Sequence, residues 1–184
     1  MATKTKLTYE DYETFPDDGN RYEIIDGEVY VSPPSITPHQ WASGELTWFL
    51  GSYVRARGLG HIFYAPFAVR LGPHDVLEPD VLFISEAKMA LVDRRGMNGV
   101  PDLCIEIASP STRSRDRTVK YERYAYFGVP EYWIVNTDAQ TVEVFAIENH
   151  TYALLGIACG DEVIASRVLP DLELRASALF TSRW

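Results

Sequence analysis

Along this chain apolar positions fall mostly in short blocks or in alternation, and only two long stretches repeat them at helical spacing. In "HQWASGELTWFLGSYVRARG", Trp41, Leu46, Phe49, Leu50 and Tyr53 follow a helical period that stops at Gly58, which predicts the longest amphipathic helix. "STRSRDRTVKYERYAYFG" predicts the second, with Ser111 or Thr112 as N-cap candidates and Gly128, Val129 and Pro130 closing it. A third, short helix over "TYEDYETF" ends before Pro16 and opens on a capping box of Thr8 and Asp11. Elsewhere the pattern is that of strands. "RYEIIDGEVYVS" has strand composition on both sides of Asp26-Gly27, the signal of a tight type I′ hairpin. "HIFYAPFAVRLG", "VLEPDVLFIS" and "DLCIEIAS" read as three strands rich in branched and aromatic residues. "EYWIVNT" and "TVEVFAI" form another hairpin around Asp138, Ala139 and Gln140, and the tail offers short strands and a helical turn near Ser177 to Phe180. Pro33, Pro34 and Pro38 break regular structure, and "EAKMALVDRRGMNGV" has no clear period.

The order helix, three strands, helix, strand, with a β-rich extension, predicts a mixed α/β sheet. At 184 residues the chain fits one domain, 1–184, with a core that needs no metal or disulfide staple. Apolar residues at 46 % and charged residues at 23 % exclude the disordered class. Cys104 and Cys159 show no CxxC spacing and no apolar stretch reaches bilayer length, so a cytoplasmic setting is expected and membrane insertion is not. A net charge of −9 opposes general polyanion binding. The one dense basic run, Arg113, Arg115, Arg117, Lys120 and Arg123, lies on the second helix.

Candidate chemistry gathers where the second and third strands meet that helix. Strand alternation sets Asp80 with Leu82 and Ile84, and Glu106 with Asp102 and Cys104, opposite Leu103, Ile105 and Ile107. A carboxylate inside so apolar a run requires a cation or a metal, or else it goes neutral. On the helix, Arg113, Asp116, Arg117, Lys120, Tyr124 and Phe127 share a face, while Arg115 and Glu122 point away. Lys120 is thereby aimed at the carboxylates, with Asp116 one turn before it as a pairing partner. Two carboxylates and a lysine suit Mg²⁺-dependent hydrolysis of a phosphodiester. Blander readings stay open. Asp80 and Asp102, each after a proline, also fit turn residues. Glu106 also fits a structural ion pair with an arginine, Lys120 a side chain lying along the sheet edge, and Ser109 and Ser111 a helix-opening turn.

In order, "RYEIIDGEVYVSPPS", "PHQ", "LEPDVLFIS", "PDLCIEIASPSTRSRD", "KYERYAYFGVPEYWIVN" and "TVEVF" resemble the Uma-type family of bacterial restriction-endonuclease-like proteins, in the PD-(D/E)XK nuclease superfamily. The resemblance covers nearly the whole chain. It implies a restriction endonuclease-like α/β (α+β) fold, a mixed central sheet flanked by helices, with extra N-terminal and C-terminal β-hairpins. It also implies Asp80 and Glu106 as carboxylates for Mg²⁺ or Mn²⁺ and Lys120 as the catalytic lysine. The superfamily motif has its lysine two residues after the acid, where this chain has Ala108. His39, Glu45 and Glu23 are accessory candidates, with helix capping or packing open for His39 and ordinary solvated positions for the glutamates. The implied activity is an endonuclease hydrolysing nucleic acid, DNA above all. A homodimer would set two basic helices around one duplex, with exposed apolar residues of the Trp133 hairpin as its interface, and residues 86–100 are candidates for specificity. The alternatives are a catalytically silent nuclease-fold protein acting as a protein-binding or regulatory module, and a hydrolase of another phosphate ester such as a nucleotide.

Overall fold

The N-terminal signals fold as local chemistry dictates. In the computed structural model, which describes residues 5–109 and 112–181, helix α1 (Tyr9–Tyr12) opens on the capping box, Thr8 N–H donating to the Asp11 carboxylate at 2.8 Å. Strands β1 (Arg21–Ile25) and β2 (Glu28–Ser32) pair antiparallel around Asp26 and Gly27, at φ 52° and 80°, the left-handed pair that a type I′ turn requires. Helix α2 (Thr37–Arg57) takes Pro38 in its first turn, where no N–H is missed, and ends on left-handed Gly58. Its buried stripe is His39, Ala42, Leu46, Leu50 and Val54. Trp41, expected on that stripe, is 36 % exposed.

Each of the first two expected strands divides in two. The first run yields β3 (Gly60–Tyr64) and β4 (Val69–Gly72), the second β5 (Asp75–Leu77) and β6 (Val81–Ser85). Pro66 and Pro79 lack the N–H that a ladder needs, and at each break the chain passes from one sheet to the other. The stretch without a period is a 3₁₀ helix (Glu86–Leu91) followed by β7 (Val92–Asp93) and β8 (Gly96–Asn98). After β9 (Leu103–Ala108), the second long helix runs as α3 (Arg113–Arg115), a π-helical segment (Asp116–Lys120) and α4 (Tyr121–Phe127). Left-handed Gly128 closes it; the N-cap candidate Ser111 lies outside the described residues. Strands β10 (Glu131–Asn136), β11 (Thr141–Glu148) and β12 (Thr151–Cys159) and a 3₁₀ turn (Ala176–Leu179) complete the described chain.

Two six-stranded sheets result, β2-β1-β5-β4-β8-β7 and β12-β11-β10-β9-β6-β3. Each is mixed, with β4–β8 parallel in the first and β9–β10 parallel in the second. The fold class is therefore the expected one, but the N-terminal hairpin is the edge of a full sheet rather than an appendage. One face of the second sheet packs Leu103, Ile105, Ile107 and Trp133 against the α2 stripe. Its other face packs Leu82, Ile84, Cys104 and Ile134 against Tyr124 of α4 and Val69 and Leu77 of the first sheet. A strand covered on both faces is a continuous apolar run, which is why β6, β9 and β10 read so plainly. The same burial overturns the expected dimer surface: Trp133 is 0 % exposed, and β10 is buried from end to end. Among the described residues no helix is long and apolar enough to cross a membrane.

Candidate active site

A polar seam lies where the two sheets approach. Strand β1 brings Arg21 and Glu23, two residues apart on one face, the start of β6 brings Asp80, and β9 brings Glu106. Lys120, from the π-helical segment, bridges the sheets. Its Nζ is 2.7 Å from Glu23 Oε1 and 2.8 Å from Glu106 Oε1, and the residue is 1 % exposed. Tyr124 OH donates to the same Glu106 oxygen at 2.9 Å. Glu23 Oε1 also accepts the Glu78 N–H at 2.9 Å. Asp80 is held by three donors: Arg21 Nη1 at 2.6 Å on Oδ1, and His39 Nε2 at 3.0 Å and Ile107 N–H at 2.8 Å on Oδ2. Asp80 and Glu106 both line a cavity of about 220 Å³ whose wall also carries Arg21, His39, Arg115 and Asp116.

The two carboxylates are driven apart electrostatically. Burial alone would raise Asp80, but the His39 hydrogen bond and the charges of Arg21, His39 and Lys120 hold it well below the usual carboxylate range. For Glu106 burial wins over the Lys120 ammonium, and with Asp80, Asp116 and Glu23 nearby its carboxyl is pushed up to about 8. Burial likewise pushes Asp116 up, against the pull of Lys120. Lys120 itself is desolvated, yet Glu106, Glu23 and Asp116 raise it, so it stays a cation. One wall carboxylate is thus permanently ionised while its neighbour exchanges a proton near neutrality, the kind of split that assigns different work to two similar groups.

Among the described residues, no three His, Cys, Asp or Glu side chains converge as a cage for a cation. The donor set nonetheless fits Mg²⁺ or Mn²⁺: Mg²⁺ keeps several waters and takes only one or two protein carboxylates, and two stand together on this wall. Both donors that reach Glu106 converge on Oε1.

Of the residues predicted from sequence, Asp80, Glu106, His39 and Glu23 come together in the seam. Lys120 joins them but does not line the cavity, which it reaches through Glu106. Glu45 is not brought in: it stands six residues after His39, about 240° around the helix, and is absent from the cavity wall. Arg115, expected to point away, turns inward, its Nη2 2.6 Å from Ser32 Oγ and 3.5 Å from Glu23 Oε2. The wider π-helical turn changes the phase between Arg115 and Lys120. Asp116, expected to pair with Lys120, lines the cavity instead, and its Oδ1 is buried with no hydrogen-bond partner among the described residues. Nor does the basic run form an open face. Arg113 reaches Asn136 and Asp138, Arg117 reaches Glu143, and Arg123 reaches Asp75. Asp102 is the expected cap, accepting Ser85 N–H at 2.8 Å and pairing with Lys88. Ser109 sits in the helix-opening turn with Thr112; Pro110 and Ser111 lie outside the described residues. Arg21, Arg115 and Asp116 were the cavity residues missed as site residues; for Arg21 the signal was its place two residues before Glu23 on one strand face.

No curated protein matches this chain. Among solved structures it is similar to one described as a "putative nuclease belonging to DUF820" from Anabaena variabilis ATCC 29413, with a TM-score of 0.77 and 18 % identity over 94 % of this chain and 97 % of that one. At that identity the likeness is one of fold. The sequence profile described as "Uma2: Putative restriction endonuclease" matches residues 9–177 and so contains every residue of the seam. The chain belongs to the Uma2 family.

Proposed function

We propose that the protein is a metal-dependent endonuclease that hydrolyses phosphodiester bonds in nucleic acid, DNA foremost, with Asp80 and Glu106 as the carboxylates for Mg²⁺ or Mn²⁺. The observation that carries this reading is the unequal pair of buried carboxylates on one cavity wall, beside two arginines. A divalent cation, when bound, supplies a Lewis acid for the phosphate and a water of lowered pKa. Asp80 is the fixed anionic anchor, oriented by His39 and the Ile107 N–H. Glu106, whose carboxyl is raised to about 8, would hold the cation as its carboxylate. Lys120 is a positioning residue: clamped between Glu23 and Glu106, it fixes the rotamer of Glu106 and keeps a positive charge behind it. Arg21 and Arg115, on the wall itself, are placed to meet a substrate phosphate, for which the planar guanidinium supplies paired donors. Membership of the Uma2 family supports the same reading. Nicking of supercoiled plasmid with Mg²⁺ tests it. The wild-type chain is expected to nick, while Asp80→Ala and Glu106→Ala, with unchanged circular dichroism, fall to background. Equal nicking by both variants defeats the assignment.

A further inference from the structure

Next to the inner cavity lies a larger cleft of about 570 Å³, and the two share Arg21, Pro33, Pro34 and Ser35 in their walls. Its lining carries a row of aromatic rings. Tyr12 and Phe15 stand 6.1 Å apart edge to face, and Phe15 and Tyr22 stand 5.1 Å apart at 34°. Pro16 and Pro66 extend the apolar wall, and Asn20 and Gln40 add amide groups able to donate and accept. The charge in this cleft is wrong for a polyphosphate backbone. Among the described residues lining it, Arg21 is the one basic side chain, against Glu13, Asp17 and Glu78. Duplex binding draws its affinity from many Lys and Arg contacts to phosphates, and the basic run on the second helix is engaged within the chain. Stacking of bases on aromatic rings needs no such charge and tolerates any sequence.

We propose that this cleft is a subsite for unpaired bases, so that the substrate is a single strand, or a duplex carrying a single-stranded segment, entering past Arg21 toward Asp80 and Glu106. The proposal rests on the nuclease reading and adds the class of substrate. In it the phosphate next to the stacked bases meets Arg21, which lines both cavities, and the bases beyond it lie on Phe15 and Tyr22. Uninterrupted duplex offers no base faces to this row, because its bases are already stacked on each other.

Fluorescence anisotropy tests the subsite apart from cleavage. A labelled single strand of about 12 nucleotides, within the usual range of single-strand sites, and its blunt duplex are each titrated with the full chain in EDTA. The single strand is expected to bind roughly tenfold or more tightly than the duplex. Phe15→Leu and Tyr22→Leu keep apolar volume but remove the ring, and each is expected to weaken single-strand binding by roughly 5- to 150-fold, the worth of one stacked base, with the thermal midpoint held. Duplex binding as tight as single-strand binding, single-strand affinity unchanged in both variants, or no binding of either nucleic acid overturns the proposal. Failure of the nuclease reading alone shows separately, as ring-dependent single-strand binding by a protein that, with Mg²⁺ or Mn²⁺, cleaves neither the plasmid nor the single strand.

Discussion

Two glutamates are buried on neighbouring parallel strands, Glu106 on β9 and Glu131 at the start of β10, where it pairs with Leu103. Their exposures, 2 % and 0 %, are indistinguishable, and their surroundings are not. Glu131 is closed off by neutral donors: Trp133 Nε1 at 2.8 Å and Ser166 Oγ at 2.7 Å on Oε1, and the N–H groups of Arg167 and Val168 at 2.6 and 3.3 Å on Oε2. It pins a loop to the sheet. Glu106 has its donors on one oxygen, shares its cation with Glu23, and looks onto a cavity beside a second carboxylate. Burial of an acid is therefore no sign of chemistry by itself. The sign is an acid whose ionisation is perturbed at the edge of a space where a ligand can complete it.

Removing the charge that serves Glu106 is expected to have the largest effect. Lys120→Met leaves Glu106 buried without its cation and Glu23 with Arg115 alone, and should cost about 3–5 kcal/mol in urea unfolding. Adding Glu23→Gln and Glu106→Gln to it should recover most of that stability and none of the nicking, since these three positions would then all be neutral but the proposed metal carboxylate gone. Full recovery of nicking would erase the contrast. Glu131→Ala comes next: it strands several buried donors and should cost on the order of 3 kcal/mol, while nicking per folded molecule stays at the wild-type level. Loss of activity there, with the fold intact, would make the two glutamates alike.

The pH dependence of stability tests Glu106 more finely. Because the folded chain holds the Glu106 carboxyl at about 8, above its ordinary value, the native state binds that proton more tightly than the unfolded chain. Its contribution is complete at pH values below the ordinary carboxylate range and is lost as pH rises toward about 8. Glu78 and Asp116, also raised by burial, add to the same trend. Thermal midpoints should thus fall between about pH 4.5 and 8, and Glu106→Gln should flatten most of that slope. A slope unchanged in the variant would refute the shift. The smallest effect is expected at Glu45→Ala, within about 0.5 kcal/mol and with nicking unchanged, as for surface positions away from special contacts.

Much of this was legible in the sequence because it was local. The Asp26-Gly27 turn, the capping box, the left-handed stops at Gly58 and Gly128, and the apolar runs of β6, β9 and β10 each follow from a few adjacent residues. Glu106 was conspicuous because an acid in a buried strand has to find a partner. What could not be read was the partition of strands between two sheets, which depends on where the chain turns at Pro66 and Pro79. Arg115 was misplaced for a related reason, since a π-helical turn leaves no mark in the residue period. Glu131 went unnoticed because its partners, Ser166 to Val168, lie in a loop far along the chain.

The central claim is that Asp80 and Glu106 together hold a divalent cation, and crystals soaked in Mn²⁺ test it most directly. An anomalous peak is expected on the cavity wall between the two carboxylates, lost in crystals of the Asp80→Asn and Glu106→Gln variants. A wild-type cavity without a peak at saturating Mn²⁺, or a peak that survives both substitutions, would contradict it.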